Sequence, residues 1–414
     1  MEALDHTTYL VGESPGLISW IGPGLRDASQ LFSAADAEVP RLDRRIGPHR
    51  LVLLNDAAEA RHVLAQSDSA YRLSNLEKRL VGPIVGEGLT VAEGKSWARQ
   101  RKVATRVVSD ARMSLGARFE AWLQRAAPQM GETVQASPER WLPALEVFTL
   151  QALSQAMFGD GPRCSGPDLQ DAISAVREEM SRFDLADGLG LHPALASPKM
   201  HRLRRLARVF DAEILSQLTE RGEDSAWPEL GADPKKRRDF TVAMITSFEA
   251  TSLTLFWCLA VAQERARAAA RAGDREDLQC IIRETLRLYP PFPFILRVAR
   301  RPDKSLAPHV PAGALVCISP YFLHRRAAYW SQPNFFQPER FSKVSANPAY
   351  LPFGAGPRAC SGARLALPLL EKLLAAVVLH WRVQIEPGSD LSPRLGVTLR
   401  PRGPVRATLE PVTA

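Results

Sequence analysis

Cysteine is scarce in this chain. The 414 residues include five cysteines, an odd number, and no two of them form a Cys-x-x-Cys pair. A disulfide framework needs paired cysteines at regular spacings, so this pattern argues against a stapled secreted protein and favours the reducing cytoplasm. The five residues are Cys164, Cys258, Cys280, Cys317 and Cys360.

Long uncharged hydrophobic runs are also missing, and the first residues lack the charged-then-apolar pattern of a secretory signal. The strongest candidate span, residues 241–262, carries a single charge, Glu249, near its middle. A carboxylate at mid-bilayer costs about 2.5–3.5 kcal/mol. We therefore expect no membrane span and a cytoplasmic protein, with residues 241–262 forming a long helix through the centre of the fold.

Nucleic-acid-binding motifs are absent as well, since the chain has neither zinc-finger spacing nor an aromatic-and-basic sheet motif. The net charge is nonetheless +8. Nucleic acid is therefore not an expected partner. The positive balance is compatible either with an acidic partner or with basic helix faces that are simply solvated.

Helical periodicity, in contrast, is abundant. Apolar residues recur at helical spacing from about residue 56 to residue 288 and again over residues 362–380. Short strand-like runs fall within residues 45–56 and 290–348, and the second of these segments is rich in proline. We therefore predict a mainly α protein, a single domain over residues 1–414, with a large helical region and a smaller β-rich lobe.

The stretch PFGAGPRACSG, residues 352–362, bends tightly at its glycines and proline and is followed by apolar residues at helical spacing. Cys360 is therefore predicted to lie at a helix N-terminus, where backbone N–H groups and the helix dipole stabilise a thiolate. A thiolate beside the apolar ring of Phe353 is a good axial ligand for haem iron. The alternative is a buried, inert cysteine in a turn.

A similar stretch, MFGDGPRCSG, surrounds Cys164. Here Arg163 directly precedes the cysteine, so the arginine points elsewhere relative to the sulfur. Pro167 and Asp168 then begin a polar helix. We interpret residues 158–166 as a loop between helices with a coincidental likeness.

The spacing Phe-x-x-Gly-x-Arg-x-Cys-x-Gly around Cys360 resembles the haem signature of the cytochrome P450 family. The resemblance extends over roughly residues 45–400, with the motifs in family order. It implies the cytochrome P450 fold, with haem b between the central helix and the loop 353–362 and Cys360 as the metal ligand. No Cys-x-x-Cys-His motif is present, so the haem should be held without covalent bonds. The matched residues are Phe353, Gly356, Arg358, Cys360 and Gly362.

Two further sets of residues support the resemblance. By likeness to the family, Glu284, Arg287 and Arg340 form a buried ion network behind the haem loop, and removing one partner would cost about 3–5 kcal/mol. By the same likeness, the other set would bind the haem propionates, a role that suits arginine because its guanidinium fork pairs with carboxylates. Its members are Trp97, Arg101, Arg297 and Arg358.

The central helix departs from the family pattern Ala-Gly-x-acid-Thr-Thr, because residues 246–251 read TSFEAT. Ala250 replaces the threonine that helps to deliver protons, and its methyl group cannot form a hydrogen bond. Thr251 lies about 100° further round a helix and is a poor direct substitute. Glu249 is either the proton-relay acid or a salt-bridged core acid.

Three accounts of this departure stay open. A substrate hydroxyl and ordered water complete the proton relay; or Ser247 or Thr251 reaches the site through a distorted helix; or the enzyme carries out a peroxide-driven or rearrangement reaction. We predict Glu249, Ala250 and Thr251 as the catalytic positions.

The resemblance implies a monooxygenase that inserts one oxygen atom from O2 into a lipophilic small molecule, which we interpret as a natural-product hydroxylase or epoxidase. Its electrons would come from NAD(P)H through a reductase and a separate acidic ferredoxin or flavodoxin that docks on the basic face near Cys360. The substrate pocket is expected near residues 70–90, 170–200 and 291–296, with Ser247 and Ala250 of the central helix. The alternatives are a peroxide-dependent haem-thiolate enzyme or isomerase, and a haem carrier or sensor. The acid at Glu249 argues against a carrier, which needs no proton relay.

Overall fold

The computed structural model describes the chain from residue 31 to residue 412, with gaps. The described ranges are 31–46, 49–158, 167–182, 184–188, 191–219, 234–245, 247–343 and 347–412. Cys164 and the loop predicted around it therefore lie outside the described residues.

Helices dominate the described residues, which confirms the prediction of a mainly α protein with a smaller β-rich lobe. In chain order they are α1 Ala34–Glu38, α2 Ala57–Ala65, α3 Asn75–Val85, α4 Gly94–Met113, α5 Ala117–Ala136, α6 Trp141–Phe158, α7 Pro167–Ser181, α8 Leu185–Gly188, α9 Pro198–Thr219, α10 Pro234–Ile245, α11 Phe248–Ala272, α12 Arg275–Leu288, α13 Pro320–Leu323 and α14 Ala363–His380.

The ends of the helices follow from local sequence. Ser74 starts α3 with a capping box, in which its hydroxyl accepts from the N–H of Glu77 and the Glu77 carboxylate accepts from the N–H of Ser74. Gly273 ends α11 with a φ of 68°, a conformation that favours glycine. Asp274 then caps α12 by accepting from the N–H of Asp277. As a result α11 and α12 are joined by a short connection and pack against each other.

Helix α11 lies at the centre of the core. Leu255, Phe256 and Trp257 are fully buried, and Trp257 stacks on Tyr289 with the ring centroids 4.1 Å apart. The helix packs against α6, α12 and α14. Among the described residues, no helix combines the length and the apolar character that crossing a bilayer requires.

The prediction of one long helix over residues 241–262 is wrong. α10 ends at Ile245 and α11 begins at Phe248, with Ser247 in a turn between them. Serine and threonine form helices less readily than alanine or leucine, and a Thr-Ser pair occupies this position in the sequence. The helix that carries Glu249 therefore starts only one residue before this acid.

The β-rich lobe is built mainly from strands that are distant in sequence. The described strands are β1 Arg41–Ile46, β2 His49–Leu54, β3 Tyr71–Arg72, β4 Ile295–Ala299, β5 Leu315–Ile318, β6 Trp381–Ile385, β7 Pro393–Leu395, β8 Leu399–Pro401 and β9 Ala407–Pro411. The first five form one sheet in the order β1-β2-β5-β4-β3, in which β2 and β5 are parallel and the other neighbours are antiparallel. β6 pairs with β9, and β7 pairs with β8. The β7–β8 hairpin brings the C-terminal part of the chain to the site described next.

Candidate active site

A cavity of about 830 Å³ is lined both by the first turns of α11 and by the loop that precedes α14. Most of its other lining is apolar and comes from α3, α7, β4 and the turn between β7 and β8. All three segments in which the sequence predicts a substrate pocket contribute. An apolar lining of this kind suits a lipophilic ligand. Representative lining residues are Leu80, Val176, Ala250, Ile295 and Val397.

Glycine shapes the loop before α14. Gly354 and Gly356 have φ values of 67° and 70°, which side chains with a Cβ seldom adopt. A Cβ at Gly356 would lie 2.2 Å from the carbonyl oxygen of Leu64, so no larger residue fits there. The N–H of Cys360 donates to the carbonyl of Phe353 at 2.9 Å and closes the loop. The cysteine is thereby held just before α14.

The Cys360 side chain is exposed to the cavity. Burial of the loop within the protein raises the pKa of its thiol, whereas the backbone N–H groups of Gly362 and Ala363 and the charge of Arg101 act in the opposite direction. The predicted stabilisation of a thiolate by these N–H groups is therefore present but does not outweigh burial. Coordination of a metal cation by Cys360 would reverse the balance, because a coordinating thiol is deprotonated outright.

The residues predicted to bind haem carboxylates lie together on the cavity wall. Arg101 donates to the carbonyl oxygen of Ala359 at 2.6 Å and so contacts the loop that carries Cys360. Arg358 lies over the ring of Trp97, with its guanidinium carbon 4.7 Å from the ring centroid. These side chains come from α4 and from the loop, so the site joins two distant parts of the sequence.

Two of these arginines also have partners that the sequence does not indicate. Arg358 donates to both carboxylate oxygens of Asp68, at 2.8 and 2.7 Å. Arg297 donates to the hydroxyl of Ser67 at 3.1 Å, and its Nη1 lies 3.7 Å from a carboxylate oxygen of Glu77. A short stretch after α2 therefore supports both arginines.

The family model for cytochrome P450 matches residues 31–255 and 259–406 of this chain. The chain belongs to the cytochrome P450 family. It is therefore an enzyme of the oxidoreductase class, as the sequence predicts.

Known proteins similar to this P450 include a synthase and a monooxygenase. It is 25% identical over 450 aligned positions to cyclooctatin synthase of Streptomyces melanosporofaciens, which covers 96% of this chain and 95% of that protein. It is 24% identical over 459 positions to amorpha-4,11-diene 12-monooxygenase of Artemisia annua, covering 96% and 88%. Among solved structures, a six-coordinated cytochrome P450 from Thermus thermophilus matches 95% of this chain and 98% of its own, with a TM-score of 0.71 and 23% identity. This structural match establishes the fold.

The residues of this P450 fit the haem that its family binds. A sulfur faces the cavity, arginines line part of the same wall, and most of the remaining lining is apolar. This is the donor set for a porphyrin with a thiolate ligand and two carboxylates. In the part of the chain that the structure describes, no cluster of three or more His, Cys, Asp or Glu side chains offers another metal site.

Glu249 belongs to an ion network at the edge of the cavity. Arg400 on β8 donates to Glu249 at 2.6 Å and to Glu146 at 2.9 Å. Arg177 pairs with Glu146 at 3.1 Å, and the hydroxyl of Thr398 donates to Glu249 at 3.0 Å. Burial alone would raise the pKa of Glu249, but Arg400, Arg177 and Thr398 hold it below its ordinary value. The geometry is that of a salt-bridged acid whose carboxylate also lines the cavity.

Ala250 and Thr251 both line the cavity. The hydroxyl of Thr251 donates to the carbonyl of Ser247 at 3.3 Å. One turn further, the hydroxyl of Thr254 donates to the carbonyl of Ala250 at 2.8 Å. Because the proton of Thr251 is used within the helix, this geometry does not favour Thr251 as a direct replacement for the missing hydroxyl.

The ion network predicted behind the loop is confirmed. Arg287 donates to both carboxylate oxygens of Glu284, at 2.7 and 2.8 Å, and Arg340 donates to one of them at 3.2 Å. Glu284 and Arg287 are fully buried. The other N–H groups of Arg287 donate to the carbonyl oxygens of His324, Pro333 and Phe335. The guanidinium thus fastens α12 to the segment before the loop.

His324 joins this network to the cysteine loop, although no sequence pattern marks it. Its Nδ1 lies 3.0 Å from the carbonyl oxygen of Arg287, and the N–H of Leu351 donates to its Nε2 at 2.8 Å. These partners require a neutral ring with its proton on Nδ1. Burial lowers the pKa of His324 to about 3.

The unfolding free energy of this P450 should therefore fall in mild acid. An exposed histidine titrates near pH 6.5, so the unfolded chain binds a proton that the folded chain excludes down to about pH 3. The part of the unfolding free energy that depends on the neutral His324 ring is complete above about pH 6.5. Below that pH it falls by up to about 1.4 kcal/mol per pH unit. We expect the urea midpoint of the wild type to depend more steeply on pH, between about pH 5 and pH 7, than that of His324→Asn. Equal slopes would contradict this role.

Proposed function

We propose that this P450 is a monooxygenase that hydroxylates or epoxidises a lipophilic natural product. The observation that carries the proposal is the exposure of the Cys360 side chain to a large, mostly apolar cavity that also meets Glu249 and Ala250. A ligand that fills this cavity would contact both the proximal cysteine wall and the first turns of α11.

Haem b is the proposed cofactor. Cys360 would be its metal ligand, with Phe353 beside the sulfur, and Arg101, Arg297 and Arg358, with Trp97, would bind its carboxylates. When bound, a thiolate-ligated haem supplies the activation of O2. The protein would hold the Cys360 sulfur in a fixed position, neutralise the haem carboxylates and keep bulk water out of the apolar cavity.

An uncharged substrate fits the charges around the cavity. Arg400 and Arg177 are each paired with a glutamate. Asp187, which lines the cavity, accepts from Arg79 at 2.9 Å and from Lys199 at 2.6 Å. Each of these charges is thus balanced by the protein. The names of the synthase and the monooxygenase described above support a terpene-like substrate for this chain.

We propose that Glu249 contributes to proton delivery as an ionised carboxylate. Its pKa is held low by Arg400 and Thr398, which suits the acceptance of a hydrogen bond from water better than the donation of a proton. A water oriented in this way, together with a hydroxyl of the substrate, would replace the threonine that is missing at Ala250.

The substitution Ala250→Thr tests this relay. With a substrate analogue that lacks the participating hydroxyl, we expect the wild type to consume NAD(P)H with little product. Ala250→Thr should recover product per NAD(P)H by about tenfold, since a positioned proton donor contributes at least that factor. Ala250→Val has the same shape without the hydroxyl and is the control. If Ala250→Thr leaves coupling and yield unchanged, the missing hydroxyl is not compensated in the way proposed.

Electrons are proposed to come from NAD(P)H through a reductase and an acidic ferredoxin or flavodoxin. Helix α4, which contacts the cysteine loop through Arg101, exposes a row of basic side chains that suit an acidic partner. The exposed residues are Lys95, Arg99, Lys102 and Arg106.

The test of this function is spectroscopic and then chemical. The haem-loaded protein is titrated with a library of lipophilic compounds, and each compound that shifts the spin state is incubated with NAD(P)H, ferredoxin and reductase before product analysis. An oxygenated product supports the proposal. Turnover with hydrogen peroxide but none with the electron partners would favour the peroxide-dependent alternative. Ala250 makes this alternative a specific one, because the threonine that helps to deliver protons is missing at that position. Binding without any turnover would favour a haem carrier or sensor.

We also propose a single domain over residues 1–414 and a cytoplasmic location. The family match from residue 31 to residue 406 supports the first. The scattered cysteines support the second, since the four in the described part of the chain are free.

A further inference from the structure

We propose that Asp68 is a positioning residue that orients Arg358 toward the haem. Asp68 lies in the turn between α2 and β3, residues 66–70, which is named here the α2–β3 turn. The inference rests on the proposed haem binding, and it assigns a role to a carboxylate outside the signature loop.

The pairing of Asp68 with Arg358 leaves one part of the guanidinium for another partner. Arg358 uses Nε and Nη2 for the two carboxylate oxygens of Asp68, and Nη2 also donates to the carbonyl of Ala92 at 2.7 Å. One face of the guanidinium lies over Trp97. The remaining donor nitrogen, Nη1, belongs to a side chain that lines the cavity and is only 5% exposed. Three of the five N–H groups of Arg358 are thus used by Asp68 and Ala92, so the two N–H groups of Nη1 remain for a haem carboxylate.

The α2–β3 turn is itself rigidly held, which a positioning role requires. Asp68 has a φ of 78°, a conformation that residues other than glycine rarely adopt. Its N–H donates to the carbonyl of Tyr71 at 2.7 Å. Tyr71 is fully buried, and its hydroxyl donates to Asp303 at 2.7 Å. The backbone of Asp68 is therefore held in place through Tyr71, a buried residue of β3.

The same turn also supports the second haem-facing arginine and the cysteine loop. Ser67, the neighbour of Asp68, accepts from Arg297. Just before the turn, the carbonyl of Leu64 lies so close to Gly356 that a side chain there would collide with it. Three contacts thus link residues 64–68 to the wall that binds the haem. An ion pair that served only the protein surface would not be expected to occur together with these three contacts.

An ion pair elsewhere in the chain provides a matched control. Asp43 also forms a bidentate pair with an arginine, Arg50, with both distances at 2.8 Å. That pair joins β1 to β2, is more exposed, and neither residue lines the cavity. Asp43→Asn therefore removes the same kind of interaction without touching the haem site.

The experiment compares the haem-loaded wild type with Asp68→Ala, Asp68→Asn and Asp43→Asn. It measures the rate of haem transfer to excess apomyoglobin and the reduction potential of the iron. We expect Asp68→Ala to release haem about 10- to 100-fold faster, the usual cost of losing such a supporting contact. Asp68→Asn keeps one acceptor oxygen and should release haem less than about threefold faster than the wild type.

The reduction potential separates positioning at the haem from a merely structural role. Both Asp68 variants remove a negative charge beside Arg358, which lines the proposed haem site, so both should shift the potential to more positive values. Asp43→Asn should change neither measurement. If Asp68→Ala does not fold, the potential of Asp68→Asn still decides the question.

Wild-type release rates and potentials in both Asp68 variants would overturn the inference. The carbon monoxide spectrum of the reduced wild type shows whether the proposed haem-thiolate function holds. If that spectrum lacks the thiolate band, the function fails. If the band is present and the Asp68 variants behave as the wild type, only the role of Asp68 fails.

Discussion

Replacing Cys360 with serine should abolish oxygenation while leaving the protein folded. Serine has nearly the same size, and the loop depends on the backbone bond to Phe353 and on its glycines rather than on the sulfur. An alcohol is a far weaker donor to haem iron than a thiolate, whose electron density favours O–O cleavage. We expect the rate of product formation to fall by at least ~1000-fold, equivalent to about 4 kcal/mol in the barrier.

The decisive measurement is the absorption of the reduced Cys360→Ser protein under carbon monoxide. The long-wavelength Soret band that marks thiolate ligation should be present in the wild type and absent in the variant. Cys280→Ala is the control, because Cys280 is a buried cysteine that does not line the cavity. A variant that keeps the band and the activity would mean that another residue binds the iron.

Breaking the Glu284–Arg287 pair should produce the largest loss of stability. Both side chains are fully buried, and Arg287 also donates to the backbone carbonyl oxygens of three residues in the segment before the cysteine loop. Glu284→Gln leaves the Arg287 charge without its counter-ion. The expected cost is about 3–5 kcal/mol of unfolding free energy. Arg287→Lys should also be severely destabilised, because an ammonium group cannot reproduce the five donors of the guanidinium fork.

Urea unfolding of the haem-loaded proteins, followed by circular dichroism and by Soret absorption, measures this effect. Arg406→Ala is the control, since its pair with Glu386 lies at the surface. We expect the control to unfold at the wild-type midpoint and Glu284→Gln to unfold at a much lower urea concentration. A midpoint of Glu284→Gln within error of the wild type would show that the buried pair is not needed for stability.

The parts of the site that depend on short-range order are readable from the sequence. The glycines and proline before Cys360, and the helix after it, lie within a few residues of the sulfur, so spacing alone predicts the loop. Glu284 and Arg287 are three residues apart on one helix and meet by helical geometry. The apolar periodicity of residues 362–380 likewise predicts α14, which extends over Ala363–His380.

The sequence does not predict two other features, the break between two helices and the short strands after α14. The break between Ile245 and Phe248 falls at a Thr-Ser pair, two residues that form helices less readily than alanine or leucine, within an otherwise apolar run. The strands after α14 are short, some of them only three residues long, and such runs carry too few residues for an alternating pattern to stand out.

By itself, the sequence determines the family and the mainly α architecture, and it predicts Cys360 as the metal ligand. Only the tertiary structure decides which charges meet. Asp68 reaches Arg358 across 290 positions of the chain, and Arg400 reaches Glu249 across 151. The physical reason is that a side chain's own sequence neighbours fix its helix or strand, whereas its ionic partner is chosen by how distant elements pack. Spacing therefore reveals the loop and its cysteine, and packing selects the partners that orient the arginines and hold Glu249 ionised.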